Sequence, residues 1–96
     1  MALFAVMISF GDEALRDQVR PVHRVFLKEQ HDAGRLVESG PFVDDTGALL
    51  IYQGTDEVEV RELLAQDPYF QNDGVVASVV VKEWNVVFPR KTLAPA

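Results

Sequence analysis

Two histidines, His23 and His31, are the residues in this chain best suited to transfer a proton near neutral pH. The spacing places His23 at the edge of a helix face that carries Val22 and Phe26, where the positive end of the helix dipole would favour the neutral imidazole. His23 is therefore a candidate general base or acid, and the alternative is a histidine that only completes the margin of the core. His31 lies near the C-terminal end of the same predicted helix. A favourable interaction with the helix dipole accounts for a histidine there without any catalytic role.

Asp67 is the second candidate for chemistry. It continues the inward face of another predicted helix, which carries Val60 and Leu64, so its carboxylate should point away from solvent. It also precedes Pro68, which suits an N-cap of a short turn through Phe70. The two roles are compatible, and the sequence leaves both open.

A third candidate is the segment Ser39, Gly40 and Pro41, which falls inside a predicted strand. A glycine there commonly marks a bulge or a close approach of the backbone to a ligand. No histidine or acid stands at a spacing from Ser39 that would indicate a nucleophilic triad. Asp44 and Asp45 are adjacent, and adjacent acids in a turn usually face solvent. Few other potential metal ligands accompany them in the sequence, so we predict no metal site.

The first half of the chain must position these residues on a strand and on helical segments. Residues 2–10 form a continuous apolar run and predict a buried strand. Helical spacing follows, but Pro21 has no amide hydrogen to donate. We therefore expect a break near Arg20, between a short segment at 12–18 and a main helix at 21–33.

The second half predicts two strands, a helix and a final strand. Residues 35–42 and 47–53 indicate a hairpin, because turn-forming residues separate them. A helix is expected at 57–66, and the last strand at 75–88. The order βαββαβ indicates one α+β domain over residues 1–96, with a four-stranded antiparallel sheet and both helices on one face.

Both faces of this sheet are predicted to be apolar. A sheet with one wet face alternates apolar and polar residues, but three strands carry consecutive apolar residues at 6–8, 49–51 and 79–81. The same face of another copy is the expected cover, because the predicted elements leave no further helix for it. We therefore predict a homodimer through the sheet face, and the alternative is a sheet that leaves a few valines exposed.

The composition argues against several classes of partner. The net charge of −6 and the pI near 4.7 oppose binding to nucleic acid or to an anionic membrane, since both need clustered Lys and Arg. The chain has no cysteine, which excludes a thiolate metal site and fits a cytoplasmic location. The tail at 89–96 is expected to be peripheral.

Several short motifs resemble, in their order and spacing, the YciI-like (YCII-related) family over nearly the whole chain. They are Arg20-Pro21-x-His23, Gly34-Arg35-Leu36 leading to Ser39-Gly40-Pro41, Gly47-Ala48-Leu49-Leu50-Ile51, Asp67-Pro68-Tyr69 with Gly74 soon after, and Trp84. Two features depart from the family. The hairpin loop after Pro41 is short, and Ala48 stands where a serine often follows the glycine.

The resemblance implies a ferredoxin-like fold, a dimeric α+β barrel and a catalytic dyad of His23 and Asp67. It also implies cofactor-independent proton transfer of the lyase, isomerase or dehydrochlorinase type on a small, aromatic or enolisable molecule. The expected substrate-binding residues are Arg20, Ser39, Gly40, Pro41 and Tyr69. Two other functions stay open: a non-catalytic binding or accessory dimer in which Asp67 is only a cap, and a cofactor-free monooxygenase of similar barrel fold.

Overall fold

The structure is a computed structural model, and it describes residues 1–91. The elements in chain order are β1 (Ala2–Phe10), α1 (Glu13–Asp32), β2 (Leu36–Pro41), β3 (Gly47–Gly54), α2 (Glu57–Gln66), α3 (Pro68–Gln71) and β4 (Val76–Trp84). The predicted order of strands and helices is confirmed, with α3 as an additional short turn of helix. The end of the predicted peripheral tail, residues 92–96, lies outside the described residues.

The four strands form one antiparallel sheet in the order β2-β3-β1-β4. Phe4, Val6 and Ile8 of the central strand β1 are buried on one face, where they form a single core with residues of all three helices. Alternate residues of a strand point to the same face, so all three helices pack on the face that carries Phe4, Val6 and Ile8. The ferredoxin-like α+β fold predicted from the sequence is confirmed.

The predicted break in the first helix is wrong. α1 is continuous, and Pro21 lies inside it. Pro21 and Asp17 are exposed, so water can satisfy the Asp17 carbonyl that receives no amide bond from the proline. Val19 before the proline and Gln30 after it are both buried. The interior proline costs about 3 kcal/mol, and packing along the whole helix offsets that cost.

Continuity of α1 also changes which of its residues face the sheet. Val22 was expected on the buried face with Phe26, but Val22 is 56% exposed. The buried residues of α1 are Arg16, Val19, His23 and Gln30. At about 100° of rotation per residue these four fall within an arc of roughly 60°. His23 therefore lies in the middle of the buried face and not at its edge.

The last strand ends earlier than the sequence predicted. β4 stops at Trp84, which pairs with Leu3 near the start of β1, so the strand has almost no partner left to pair with beyond that point. The chain then crosses the sheet to its opposite edge, because Arg90 Nη2 donates to Glu38 Oε2 on β2 at 2.5 Å. Both side chains are exposed, so this ion pair contributes little to stability.

The sheet face turned away from the helices carries apolar residues at its centre, as the sequence predicted. Met7 lies on this face of β1 between Leu49 of β3 and Val80 of β4. Met7 and Val80 are each about two fifths exposed. We call the row formed by Leu49, Met7 and Val80 the outer row.

Candidate functional site

His23 and Asp67 are in hydrogen-bond contact. The distance from His23 Nδ1 to Asp67 Oδ1 is 2.7 Å, and both residues are buried. The same Oδ1 accepts from the Tyr69 backbone amide at 2.9 Å, so it is an acceptor here. An ionised carboxylate has only acceptors, and this assigns the proton to His23 Nδ1. Among residues 1–91, Nε2 of this imidazole has no hydrogen-bond partner.

Asp67 also caps α3, and it does so through the oxygen that holds the imidazole. It is the residue between the end of α2 and Pro68, the first residue of α3. Both roles that the sequence left open, cap and histidine partner, are thus filled by Oδ1. Its other oxygen, Oδ2, is buried and has no hydrogen-bond partner within the part of the chain that the structure describes.

The predicted influence of the helix dipole on His23 is wrong. That prediction placed His23 in the first turn of a helix beginning at Pro21, but α1 begins at Glu13. The dipole acts mainly on groups in the first and last turns, and His23 is near the middle. The charged group next to the imidazole is therefore the Asp67 carboxylate.

Tyr69 fixes the plane of the imidazole. Its ring stacks on His23 with 3.6 Å between ring centroids and 1° between the planes. Phe10 also contacts Tyr69, in an edge-to-face arrangement with ring centroids 6.2 Å apart. The His23 ring is thus held by the stack with Tyr69 and by the hydrogen bond from Nδ1 to Asp67. Any large rotation of the ring would break at least one of these two contacts.

His23 forms part of the wall of a cleft of about 500 Å³. The floor is apolar and comes from the sheet, with Ile8 of β1 and Ala48 and Leu50 of β3. One wall comes from α1, and the end of β2 forms another part of the lining. A cleft of this size suits a small molecule, with apolar contacts for a ring and a few polar groups to orient it.

Most of the predicted site residues line this cleft. They are His23, Arg20, Ser39, Gly40, Pro41 and Tyr69. Asp67 does not line it, because it is fully buried behind His23. Gly40 does not mark a bulge, since it pairs regularly with Leu49 and the irregularity in register falls between Leu36 and Glu38.

Sequence reasoning missed three charged residues of the cleft, namely Arg16, Arg24 and Asp45. Arg16 is only 3% exposed; its guanidinium lies 4.0 Å from the centre of the Phe10 ring and donates to Asp45 Oδ2 at 2.7 Å. The signal was available, because positions 16, 20 and 24 are four residues apart and share a helix face. The expected helix break near Arg20 concealed that spacing.

Arg20 lines the cleft, and its side chain is also partly exposed to solvent. Its Nη2 donates to Asp17 Oδ1 at 2.8 Å. The nearby Tyr69 hydroxyl, and also the Asp17 carboxylate, raise the pKa of Arg20 above its usual value. The side chain is therefore a cation over the whole working pH range.

Tyr52 is a buried neighbour of the dyad that does not reach the cleft. It lies on β3 and is fully buried, and its hydroxyl has no hydrogen-bond partner among residues 1–91. Burial, followed by the negative charge of Asp67, raises the pKa of the Tyr52 phenol. The phenol of Tyr52, close to Asp67, therefore stays un-ionised near neutral pH.

Two further observations concern metals and membranes. Within residues 1–91, no three histidine, aspartate or glutamate side chains come close enough together to hold a metal ion. In the same part of the chain, no helix is both long enough and apolar enough to cross a bilayer.

Comparisons with known proteins agree with the fold. A family model described as the YCII-related domain matches residues 2–85. A solved structure of 5-chloro-2-hydroxyhydroquinone dehydrochlorinase from Burkholderia phenoliruptrix, in complex with 2,5-dihydroxybenzoquinone, superposes with a TM-score of 0.73. The two chains are 22% identical over 86% of this chain and 93% of that one, and such an identity shows the fold alone. Among functionally curated proteins, none matches.

Proposed function

The chain belongs to the family of YCII-related domains, and from that premise we propose that it is a cofactor-independent enzyme that moves a proton on a small, aromatic or enolisable molecule. The observation that carries the proposal is the hydrogen bond of 2.7 Å between His23 and Asp67 at the wall of a cleft. A base that is held by a buried carboxylate and lines a cleft is suited to general acid–base catalysis.

In the proposed reaction His23 Nε2 takes a proton from an acidic O–H or C–H of the bound molecule. The positive charge that forms on the imidazole is stabilised by Asp67 through the Nδ1–H bond. The electron pair left behind then either expels a leaving group, as in a lyase, or accepts the proton at another atom, as in an isomerase. Tyr69 contributes by holding the imidazole plane during both steps.

The class of substrate is supported by the structural neighbour. That protein is a dehydrochlorinase and was solved with a hydroxylated quinone, a small flat ring bearing several oxygen atoms. The apolar floor of the present cleft, formed by Ile8, Ala48 and Leu50, is suited to the face of such a ring. In a dehydrochlorination, a proton passes to the base while chloride leaves with the electron pair of the carbon–chlorine bond.

A panel of hydroxylated and chlorinated hydroquinones and enolisable ketones tests this proposal. Chloride release and hydrogen–deuterium exchange at carbon are measured for the wild type, for His23→Asn and for His31→Asn. We expect His23→Asn to lower the rate by roughly 10²–10⁴-fold, the usual contribution of a general acid or base. His31 is the matched control, an exposed histidine on the same helix, and its substitution should leave the rate unchanged. Equal rates for the wild type and His23→Asn would refute the proposal.

The alternative of a non-catalytic binding module keeps one supporting observation. Asp67 caps α3, so its presence is accounted for even without catalysis. A protein that binds members of the panel in the cleft and turns none of them over would have this function.

We also propose that the protein acts as a homodimer through the outer face of its sheet. The support is the apolar outer row, in which Met7 is 41% exposed on the central strand. Apolar side chains grouped on a sheet face favour a two-fold contact, because each copy presents the same surface to the other.

A further inference from the structure

The cleft concentrates positive charge in an acidic protein. The chain has a net charge of −6 and nine Lys and Arg residues, yet three of the nine line this one cleft. These are Arg16, Arg20 and Arg24, which follow one another at every fourth position of α1. Asp45 supplies the one carboxylate of the lining that the described residues contribute. A cleft whose walls carry an excess of positive charge raises the local concentration of negatively charged molecules.

The three guanidinium groups differ in how many contacts they already make with other residues of the protein. Arg16 is bound to Asp45 by two hydrogen bonds and lies over Phe10, although its Nε is buried without a partner among residues 1–91. Arg20 pairs with Asp17 at the surface, where solvent weakens the pair. Arg24 makes no ion pair or side-chain hydrogen bond within that same part of the chain.

We propose that the cleft selects small planar molecules that carry an ionised oxygen, such as a carboxylate or an enolate, and that Arg24 and Arg20 bind this oxygen. This inference rests on the proposed function and names the substrate class of the same site. A guanidinium presents paired N–H donors that fit an oxyanion and bind it more strongly than a neutral oxygen.

The placement of these groups fits proton transfer as well as binding. Arg20 and Arg24 lie on either side of His23 in the sequence of α1, and all three side chains line the cleft. When His23 removes a proton from an enolisable ring, negative charge develops on the ring oxygen. Guanidinium groups that bind that oxygen stabilise the charge where it forms. Arg16 serves as a positioning residue, since its bonds to Asp45 tie the hairpin turn to α1.

Binding of 4-hydroxybenzoate and 4-hydroxybenzamide, measured by calorimetry at low ionic strength, tests the inference. The two probes share a ring and a hydroxyl and differ in charge. We expect the wild type to bind the carboxylate at least about ten-fold more tightly than the amide, as a charge-assisted hydrogen bond implies. Arg24→Gln should weaken binding of the carboxylate by a similar factor and leave binding of the amide unchanged.

Arg61→Gln is the matched control, because Arg61 is an exposed arginine on α2, paired with Glu57 and outside the cleft lining. It should bind both probes as the wild type does. Equal affinity of the wild type for the two probes overturns the inference. So does an equal loss of carboxylate binding in Arg61→Gln, and so does a failure of the carboxylate to bind at about 10 mM, ten times a millimolar dissociation constant.

His23→Asn separates this inference from the proposed function. The substitution removes the base and keeps both arginines, so the preference for the carboxylate should persist while turnover is lost. In the wild type, a preference for the carboxylate without turnover of any compound in the panel would refute the catalysis and leave the anion site in place. Turnover of neutral compounds without any preference for the carboxylate would refute the anion site and leave the catalysis in place.

Discussion

Asp67 Oδ1 accepts two hydrogen bonds, one from His23 and one from the backbone of Tyr69. One atom therefore joins the proposed base to the start of α3. Asn is as good an N-cap as Asp, but it carries no charge to stabilise the imidazolium. The two functions of Asp67 can be separated on this basis.

We expect Asp67→Asn to keep the free energy of unfolding within about 1 kcal/mol of the wild type, because the cap survives. Turnover should fall by about 10²-fold or more, since the charge that stabilises the protonated His23 is lost. Asp67→Ala removes the cap and leaves the Nδ1–H donor buried, so it should cost about 1–3 kcal/mol more than Asp67→Asn. Urea unfolding and the rate assay on the three proteins measure this. Asn and Ala variants of equal stability would contradict the role of Asp67 as a cap.

Tyr52 makes a prediction about alkaline pH. Its phenol ionises with a pKa of 10.0 in the unfolded chain, and burial and the charge of Asp67 raise that pKa in the folded state. Below pH 10 the phenol is neutral in both states, so its contribution to stability is complete. As the pH rises above 10 the unfolded state loses its proton first, and stability falls until the raised pKa is reached.

Tyr52→Phe is expected to remove this part of the decline. Its stability near neutral pH should stay close to that of the wild type, because the hydroxyl that is deleted has no partner among residues 1–91. Urea unfolding of both proteins at a series of pH values above and below 10 gives the two slopes to compare. Parallel slopes would show that the phenol of Tyr52 does not titrate differently on unfolding.

At the scale of the elements, α1 runs through Pro21 without interruption. The proline removes one hydrogen bond from an exposed part of the helix. We expect Pro21→Ala to raise the free energy of unfolding by about 1–3 kcal/mol, less than the full helix penalty because proline also restricts the unfolded chain. Urea unfolding measures the gain. Gln18→Ala, at another exposed position of α1, is the control and should change stability by no more than about 0.5 kcal/mol.

A loss of stability in Pro21→Ala would mean that the proline has a packing role that its exposure does not indicate. The same element shows where prediction from the sequence failed. Local propensity favoured a break at Pro21, but burial on both sides of it, at Val19 and Gln30, kept the helix in one piece. The error displaced the predicted stripe to Val22 and separated Arg16 from Arg20 and Arg24.

The other elements followed from local signals. α2 ends at Gln66, as predicted, because the residue before Pro68 is forced out of the helical region. The hairpin strands β2 and β3 end within one residue of their predicted bounds, since turn residues separate them. The end of β4 was overestimated because the apolar run continues past Trp84, whereas pairing depends on the length of β1.

At the scale of the whole molecule, the outer face of the sheet makes a prediction about assembly. If this face joins two copies, the wild type should have twice the mass of the 10.7 kDa chain in sedimentation equilibrium. Met7→Glu should convert it to a monomer, because a two-fold contact would bury two carboxylates close together. Met7 is 41% exposed in a single chain, so the monomer itself can tolerate the charge.

Val58→Glu is the control for assembly. Val58 is 63% exposed on α2, on the opposite side of the sheet from Met7, and its substitution should leave the dimer intact. A wild type that sediments with the mass of one chain would exclude the dimer. A Met7→Glu variant that still forms dimers would show that the contact lies elsewhere.

The sequence by itself determined the features that depend on neighbours along the chain. Strand-forming apolar runs, the hairpin turn, the end of α2 and the cap at Asp67 all follow from residues a few positions apart, whose effects act before any distant contact forms. Only the tertiary structure decided the site. The hydrogen bond from His23 to Asp67 joins residues 44 positions apart, and the arginines share a wall only because α1 stays continuous. Burial against the sheet outweighs the local cost of Pro21, and that balance depends on the packing of the whole molecule.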